Sequence, residues 1–377
     1  SETNPYSQIG IADTIDLWTK PEAKQLAREA TAKSIVLLKN EHQTLPINKE
    51  KVKKIAVIGP RSNQVIADWY GGQPPYTVSA LEGIRNAVGT DIEVLFAESN
   101  KADSAVIAAS QADMAIVCVG NHPLGYGLPW GENYVASDGR EDVDRQAISL
   151  EQEDLVKLVY KANPNTVMVL ISSFPYAINW SKENIPAIVF MTQSSQELGN
   201  GLADVLFGTI SPAGRLTQTW SASIDDLLPI LDYNIRNGRT YMYDQHTPLF
   251  PFGYGLTYTT FAYSNLKLNK PMASKNETVE LTFDLKNTGD FDSDEVVQLY
   301  VSFPNSKVER PAKALKSFKR IHVEKGVSKE IKLHLNTNDL MYWNEEQHAF
   351  VLEPGQVEFF IGSSSVDSKL KGKLTIL

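Results

Sequence analysis

The feature that most constrains this chain is an alternation of short apolar runs with helix-like stretches between Pro21 and Trp220. The strand-like runs are KKIAVIG, DIEVLFAE, DMAIVCVG, TVMVLISS and AIVFMTQ. The stretches with helical spacing are EAKQLAREATAKSIVLLKN (ending near Asn40), SALEGIRNAV, ADSAVIAASQA, LEQEDLVKLVYKAN and QELGNGLADVLFG. Strands that are apolar throughout are covered on both faces. The alternation therefore predicts an α/β fold with a mainly parallel sheet sandwiched by helices.

In such folds, ligands bind beyond the carboxyl ends of the strands. This rule assigns Gly59–Tyr76, Gly120–Arg145 and Ser172–Tyr176 to one edge of the sheet. Residues 121–144 form a long stretch without clear periodicity, which is typical of functional or disordered loops. The stretch combines aromatic residues with a cluster of carboxylates, and this mixture suits sugars. The alternative is a solvated acidic loop with Arg140 and Arg145 as local partners.

After Phe261 the pattern changes to apolar–polar alternation. It is found in ETVELTFDLKNTGD, EVVQLYVSF, KALKSFKRIHV, SKEIKLHLN and GQVEFFIGSSS. Such runs, separated by turn residues, predict a small antiparallel β-sandwich. We therefore divide the chain into a junction segment (1–20), an α/β domain (21–223), an ordered connector (224–261) rich in aromatic residues, Gly and Pro, and the sandwich (262–377).

Composition excludes several classes of function. The chain has 377 residues and a net charge of −9, which argues against a nucleic-acid surface. Its single cysteine, Cys118, lies in an apolar run and is expected to be a buried, inert thiol. The six histidines do not form a metal-site pattern, and no apolar run reaches the length of a membrane span. We expect no metal and no cofactor, and we expect neither nucleic acid nor membrane as a partner.

Several stretches resemble the carboxyl-terminal half of glycoside hydrolase family 3. They are ATAKSIVLLKNEHQTLPI, KIAVIGP, ADVLFGTISPAGRLTQTW, LFPFGYGLTYTTFAYSNLKL and LEPGQVEFFIGSSS. The resemblance covers nearly the whole chain and is closest to β-xylosidase and β-glucosidase members. It implies that the sandwich is an immunoglobulin/fibronectin III-like domain and that the chain is part of a glycoside hydrolase.

The resemblance also implies site residues. GREDVDRQAISL resembles the acid/base loop of the family, whose pattern has a Glu three residues before an Asp-Arg pair. Glu141 is then the general acid/base, with Glu132 and Asp138 as second choices. The chain has Gly139 where the pattern often has a second acid. Asp144 and Arg145 are interpreted as a pair that fixes the loop.

The aromatic residues Trp69, Tyr70 and Trp130, together with Asp138, are the candidate substrate-binding residues. Trp69 and Tyr70 belong to WYGGQPPYT, which resembles a family loop at the same edge, although a role in the core is equally compatible with their sequence. Glu197, in SQELGN, is interpreted as structural because a carboxylate near a helix amino terminus is favoured by the helix dipole.

The nucleophile of the family is an aspartate on a (β/α)₈ barrel, which needs about 250 residues. Only about twenty residues precede the first helix here. We therefore expect the chain to carry the acid/base of an exo-acting retaining β-glycosidase that needs a barrel chain or domain and acts on terminal β-D-xylosyl or β-D-glucosyl residues of oligosaccharides. The resemblance favours a secreted or periplasmic location. The alternative is a non-catalytic carbohydrate-binding or structural module. A nucleotide-binding role is disfavoured because no glycine-rich phosphate motif follows a strand.

Overall fold

The computed structural model describes residues 19–66, 72, 74–121, 145–193 and 195–377. Within these residues the first sheet has six strands: β1 (Val36–Asn40), β2 (Lys54–Ile58), β3 (Glu93–Ala97), β4 (Met114–Val119), β5 (Thr166–Ile171) and β6 (Ala187–Met191). Their order is β1-β6-β5-β4-β2-β3. Strands β2 to β6 run parallel to one another, and β1 pairs antiparallel with β6 at one edge. The mainly parallel sheet is therefore confirmed.

The first helix is shorter than its sequence predicted. Helix α1 covers Pro21–Ser34, after which Ile35 takes an extended conformation and the chain continues into β1. Residues 35–38 are buried to 3% exposure or less. Four consecutive buried apolar residues fit a strand between two layers of helices better than a helix with one apolar face. The expectation that this helix ends near Asn40 is therefore wrong.

Helices cover both faces of the sheet. The remaining ones are α2 (Ala80–Val88), α3 (Ser104–Ser110), α4 (Glu153–Ala162), α5 (Asn179–Asn184) and α6 (Leu198–Leu206). Helices α1, α2 and α6 share one hydrophobic core with the sheet, and α3, α4 and α5 share the other. Strand β4 shows both layers, because Ile116 and Cys118 belong to the first core and Val117 and Val119 to the second. The sequence predicted all of these helices except α5, which has only six residues.

The second part of the chain is a sandwich of mostly antiparallel strands. They are β7 (Phe261–Leu268), β8 (Met272–Ala273), β9 (Thr278–Asn287), β10 (Ser293–Ser302), β11 (Ala314–Val323), β12 (Ser328–Asn336), β13 (Tyr342–Asn344), β14 (Ala349–Val351), β15 (Gly355–Gly362) and β16 (Leu370–Ile376). One sheet has the order β11-β10-β15-β16-β8 and faces a second with the order β12-β9-β7 across a common core. All five predicted runs are strands (β9 to β12 and β15), and β7, β8, β13, β14 and β16 were not predicted.

Buried polar contacts join the two parts. The amide of Gln298, on β10, donates to the carbonyl oxygen of Gly253 at 3.1 Å and to that of Ser363 at 2.6 Å. Arg215, which follows α6, pairs with Glu295 on β10 at 3.0 Å, and both side chains are less than a tenth exposed. The sandwich is therefore fixed to the α/β part by hydrogen bonds and by a buried ion pair.

The connector is packed mainly in its second half. Leu249 and Phe250 are buried, and their backbone bonds to Trp220. The first half leaves large apolar side chains in solvent: Ile230, Leu231 and Tyr233 are 66, 80 and 79% exposed.

Candidate active site

The carboxyl ends of β2, β4, β5 and β6 lie at one edge of the sheet, and glycines allow the chain to leave it there. Gly59 follows β2 with φ +108°, and Gly120 follows β4 with φ +140°. A Cβ atom on Gly120 would lie 1.8 Å from the carbonyl oxygen of Ile171, and one on Gly59 would lie 2.3 Å from that of Cys118. Only glycine fits both this backbone conformation and this close approach.

The candidate catalytic and substrate-binding residues fall outside the described residues. These are Glu141, Trp69, Tyr70, Trp130 and Asp138, together with Glu132 and Asp144. Their assignments therefore stay predictions. The structure does describe the residues that flank 122–144 on both sides, Asn121 and Arg145.

The first flank is held by amide side chains. Asn121 is 2% exposed, and its Oδ1 accepts a hydrogen bond from the backbone N–H of Ser173 at 2.9 Å. The amide of Gln193, after β6, donates to the hydroxyl of the same serine. Gly120, the residue before Asn121, is held by the side chain of Gln152. Its backbone N–H donates to Gln152 Oε1 at 2.7 Å, and its carbonyl oxygen accepts a hydrogen bond from Gln152 Nε2 at 2.9 Å. The residues that follow β4 are therefore held by residues that follow β5 and β6 and by the residue just before α4.

The second flank is held by an arginine. Arg145 Nη1 donates to the carbonyl oxygen of Pro175 at 3.0 Å. Its guanidinium carbon lies 4.1 Å from the ring centroid of Phe174 and 4.6 Å from that of Tyr176. Contacts of this kind combine a hydrogen bond with cation–π attraction. They attach Arg145 to the segment that follows β5, while its expected pairing with Asp144 lies outside the described residues and stays a prediction.

Both flanks are thus attached to the same short segment, Ser172–Tyr176, which follows β5. Sequence reasoning did not identify Asn121, Ser173 or Gln193 as anchors. The available signal was weak: each is a polar residue within two positions of the end of a buried strand.

Glu197 lies at the start of α6 and is 5% exposed. Its Oε2 accepts a hydrogen bond from Asn200 Nδ2 at 2.6 Å. Burial and the neighbouring Glu197 carboxylate raise the pKa of Tyr76 to about 12. These contacts, all within the chain, agree with the structural interpretation of Glu197.

The described ranges contain neither a cluster of metal ligands nor a helix suited to crossing a membrane. No group of three His, Cys, Asp or Glu side chains there is placed to hold a metal ion. No helix in the same ranges is long and apolar enough to cross a membrane.

Comparison with known proteins decides the family. Residues 35–258 match the Glycosyl hydrolase family 3 C-terminal domain. The chain belongs to glycoside hydrolase family 3. Residues 295–365 match the Fibronectin type III-like domain, so the family 3 resemblance of the sequence motifs is confirmed for both parts.

Family 3 relatives match almost the whole chain. A β-xylosidase of Formosa agariphila is 32% identical over 95% of this chain and 51% of its own length. A periplasmic β-glucosidase of Salmonella typhimurium is 30% identical over 97% of this chain and 52% of its own length. The chain therefore spans about half the length of the curated relatives it matches.

Solved structures of family 3 enzymes share the fold. A β-glucosidase from Chaetomella raphigera superposes with a TM-score of 0.83 and 27% identity, covering 94% of this chain and 55% of its own. A β-glucosidase from Bifidobacterium adolescentis superposes with a TM-score of 0.82 and 29% identity, covering 97% of this chain and 55% of its own. Both parts of the present chain are therefore built as in these enzymes.

Proposed function

We propose that this chain carries the general acid/base of an exo-acting retaining β-glycosidase, and that Glu141 is that residue. The enzyme releases terminal β-D-xylosyl or β-D-glucosyl residues from oligosaccharides. The attacking aspartate belongs to a (β/α)₈ barrel that completes the active site. The observation that supports this most strongly is the family 3 match over residues 35–258, a range that contains Glu141.

The anchors of the loop support the position of the acid. Glu141 is four residues before Arg145, and an extended chain spans at most about 3.6 Å per residue. Chain length alone therefore limits the distance between the Cα atoms of Glu141 and Arg145 to about 14 Å. We propose that a barrel facing the carboxyl edge of the sheet would meet the Glu141 carboxyl group within this reach.

The chemistry needs two carboxyl groups about 5–5.5 Å apart. The aspartate of the barrel attacks the anomeric carbon while Glu141 protonates the leaving oxygen, and Glu141 then deprotonates the water that releases the sugar. The acid must be protonated at the working pH, which burial or a neighbouring carboxylate can ensure. Asp138 and Asp142 are close in sequence to Glu141 and would act in this direction.

The sugar contacts are proposed from two stretches of the chain, one of which contains Glu141. Trp69, Tyr70 and Trp130 would pack against the C–H face of the pyranose, and Asp138 would bond its hydroxyls. The named relatives include both a β-xylosidase and β-glucosidases, so both sugars are proposed as substrates. The periplasmic relative supports a location outside the cytoplasm.

The test is the Glu141→Gln variant in an enzyme assembled with its barrel. It should lose about 10²–10⁴-fold in kcat/KM on aryl β-xylosides and β-glucosides with poor leaving groups, because proton donation is then absent. The loss should be smaller with good leaving groups, and azide should restore turnover through a glycosyl azide product.

Glu132→Gln is the discriminating comparison, because Glu132 is a second choice for the acid: it should keep the activity if Glu141 is the acid and lose it if Glu132 is. Unchanged activity in Glu141→Gln would refute the assignment. Turnover by the present chain at normal rates without any barrel would refute the proposed division of the active site.

A further inference from the structure

Two adjoining cavities run from the carboxyl edge of the sheet to the sandwich. The first, of about 460 Å³, is bounded by Arg145 and Tyr176 at the edge of the sheet and by Tyr241 and Phe252 of the connector. The second, of about 350 Å³, shares Thr219, Tyr241 and Phe252 with the first and reaches residues 313 and 365 of the sandwich. Each volume lies in the range of pockets that bind small molecules. Together they form a groove, which we call the connector groove.

The wall of the connector groove is rich in hydrogen-bonding side chains. Thr217, Gln218, Thr219 and Ser221 line the first cavity. Among the described ranges, the side chains of these four residues have no hydrogen-bond partner. Three hydroxyls and one amide provide both donors and acceptors, and no carboxylate of the described residues lines this cavity. Arg145 and Arg239 add further donors to this lining, which suits a ligand with many hydroxyl groups.

Another part of the lining is aromatic and fixed in place. The rings of Tyr241 and Phe252 are stacked, with centroids 4.3 Å apart and planes 8° from parallel. The Tyr241 hydroxyl accepts a hydrogen bond from the backbone N–H of Leu315 at 2.9 Å, so the sandwich holds this ring in place. A fixed aromatic surface in the same groove as polar groups can bind sugars without a large ordering cost.

We propose that the connector groove binds the leaving-group side of a β-linked oligosaccharide, beyond the bond that is cleaved. This inference rests on the proposed function. A general acid protonates the leaving oxygen and therefore stands on the leaving-group side of the cleaved bond. Arg145, four residues after Glu141, lines the start of the groove. The remaining sugar units of the substrate then pass from the acid toward the sandwich.

Binding to the chain itself tests the inference, because it needs neither barrel nor turnover. Titration calorimetry with xylotetraose and cellotetraose should show saturable binding of at least one, with a Kd of about 1–10 mM. Maltotetraose, which has α-linkages, should bind more weakly. Thr219→Phe fills the junction of the two cavities and should weaken binding at least about fivefold. Thr217→Phe is a second blocking variant at an exposed position, where a larger side chain cannot disturb the core.

The matched control is Thr90→Phe, an exposed threonine just before β3 at the opposite edge of the sheet, which should bind like the unmodified chain. Equal Kd values in both blocking variants and the control would refute the groove, as would the absence of saturable binding of either β-linked tetrasaccharide. These outcomes leave the role of Glu141 untouched. Retained activity in Glu141→Gln would in turn refute the acid without altering the binding result.

Discussion

At the residue scale, Cys118 shows how burial sets chemistry. Its side chain is fully buried in β4, as the apolar sequence around it predicted, and this burial raises the pKa of the thiol to about 12. An exposed thiol in the unfolded chain ionises near pH 8.5. The folded state therefore binds its proton more tightly, and the stability that this contributes is present at neutral pH and lost as the pH rises from about 9 to 12.

We predict that the free energy of unfolding falls more steeply with pH in the natural chain than in Cys118→Ala. The difference in slope should approach about 1.4 kcal/mol per pH unit above pH 9. Denaturant titrations at pH 8, 9 and 10 measure it, and buried tyrosines contribute equally to both proteins. Parallel curves would contradict the prediction, as would rapid reaction of the native thiol with a disulfide reagent at pH 8.

The anchors of the loop could not be predicted at this scale. Asn121 and Gln193 are separated by about seventy positions in the sequence and meet only because Ser173 lies between them after β5. Their importance comes from the order of the strands, which no local pattern contains. The polarity of each residue was visible in the sequence, but its partner was not.

At the scale of elements, helices α2 and α6 meet at their glycines. A Cβ atom on Gly199 would lie 1.8 Å from the carbonyl oxygen of Ser79, and one on Gly83 would lie 2.0 Å from the backbone of Gly199. The backbones are therefore in direct contact, and Ser79 also caps α2 through a reciprocal bond with Glu82.

We predict that Gly199→Ala destabilises the chain by about 1–3 kcal/mol, because the extra methyl group must push two helices apart. Gly238→Ala is the control: its Cβ would meet nothing closer than 3.8 Å, and its backbone is left-handed with φ +104° and ψ 20°. That change should cost about 1 kcal/mol, for backbone conformation alone. Denaturant midpoints compare the two, and a larger loss in Gly238→Ala would contradict the prediction.

Periodicity predicted α2, α4 and α6 because each has one apolar face and a clear end. It failed at the boundary of α1 and β1, where the apolar spacing of the helix runs without a break into Ile35–Leu38. A central strand and a fully buried helical turn have the same composition, and only the pairing with β6 separates them.

At the scale of the whole molecule, the joint between the two parts depends on buried charge. We predict that Glu295→Ala lowers the free energy of unfolding by about 3–5 kcal/mol, since it leaves the Arg215 guanidinium buried without its carboxylate. Glu324→Ala breaks the exposed pair with Lys329 and should cost at most about 1 kcal/mol. Thermal unfolding of both variants checks this, and similar losses would show that the joint contributes no more than a surface pair.

The two parts themselves were predictable, because one has the alternation of an α/β fold and the other the period of a sandwich. The contact between them was not predictable, because in the sequence Gln298 looks like any polar residue of a strand. It becomes a contact between the parts only when Gly253, at φ +78°, brings its carbonyl oxygen next to that amide.

Gln298 also accepts a hydrogen bond from the Tyr300 hydroxyl at 2.5 Å, so one amide serves the connector, the turn after β15 and its own strand together. A gene rearrangement that cut between Gly253 and β7 would leave this amide without its partner in the connector. Gly253 and the sandwich are for this reason expected to be inherited as a single cassette, and a protease that nicks the exposed first half of the connector should leave the two pieces joined through the Arg215–Glu295 pair.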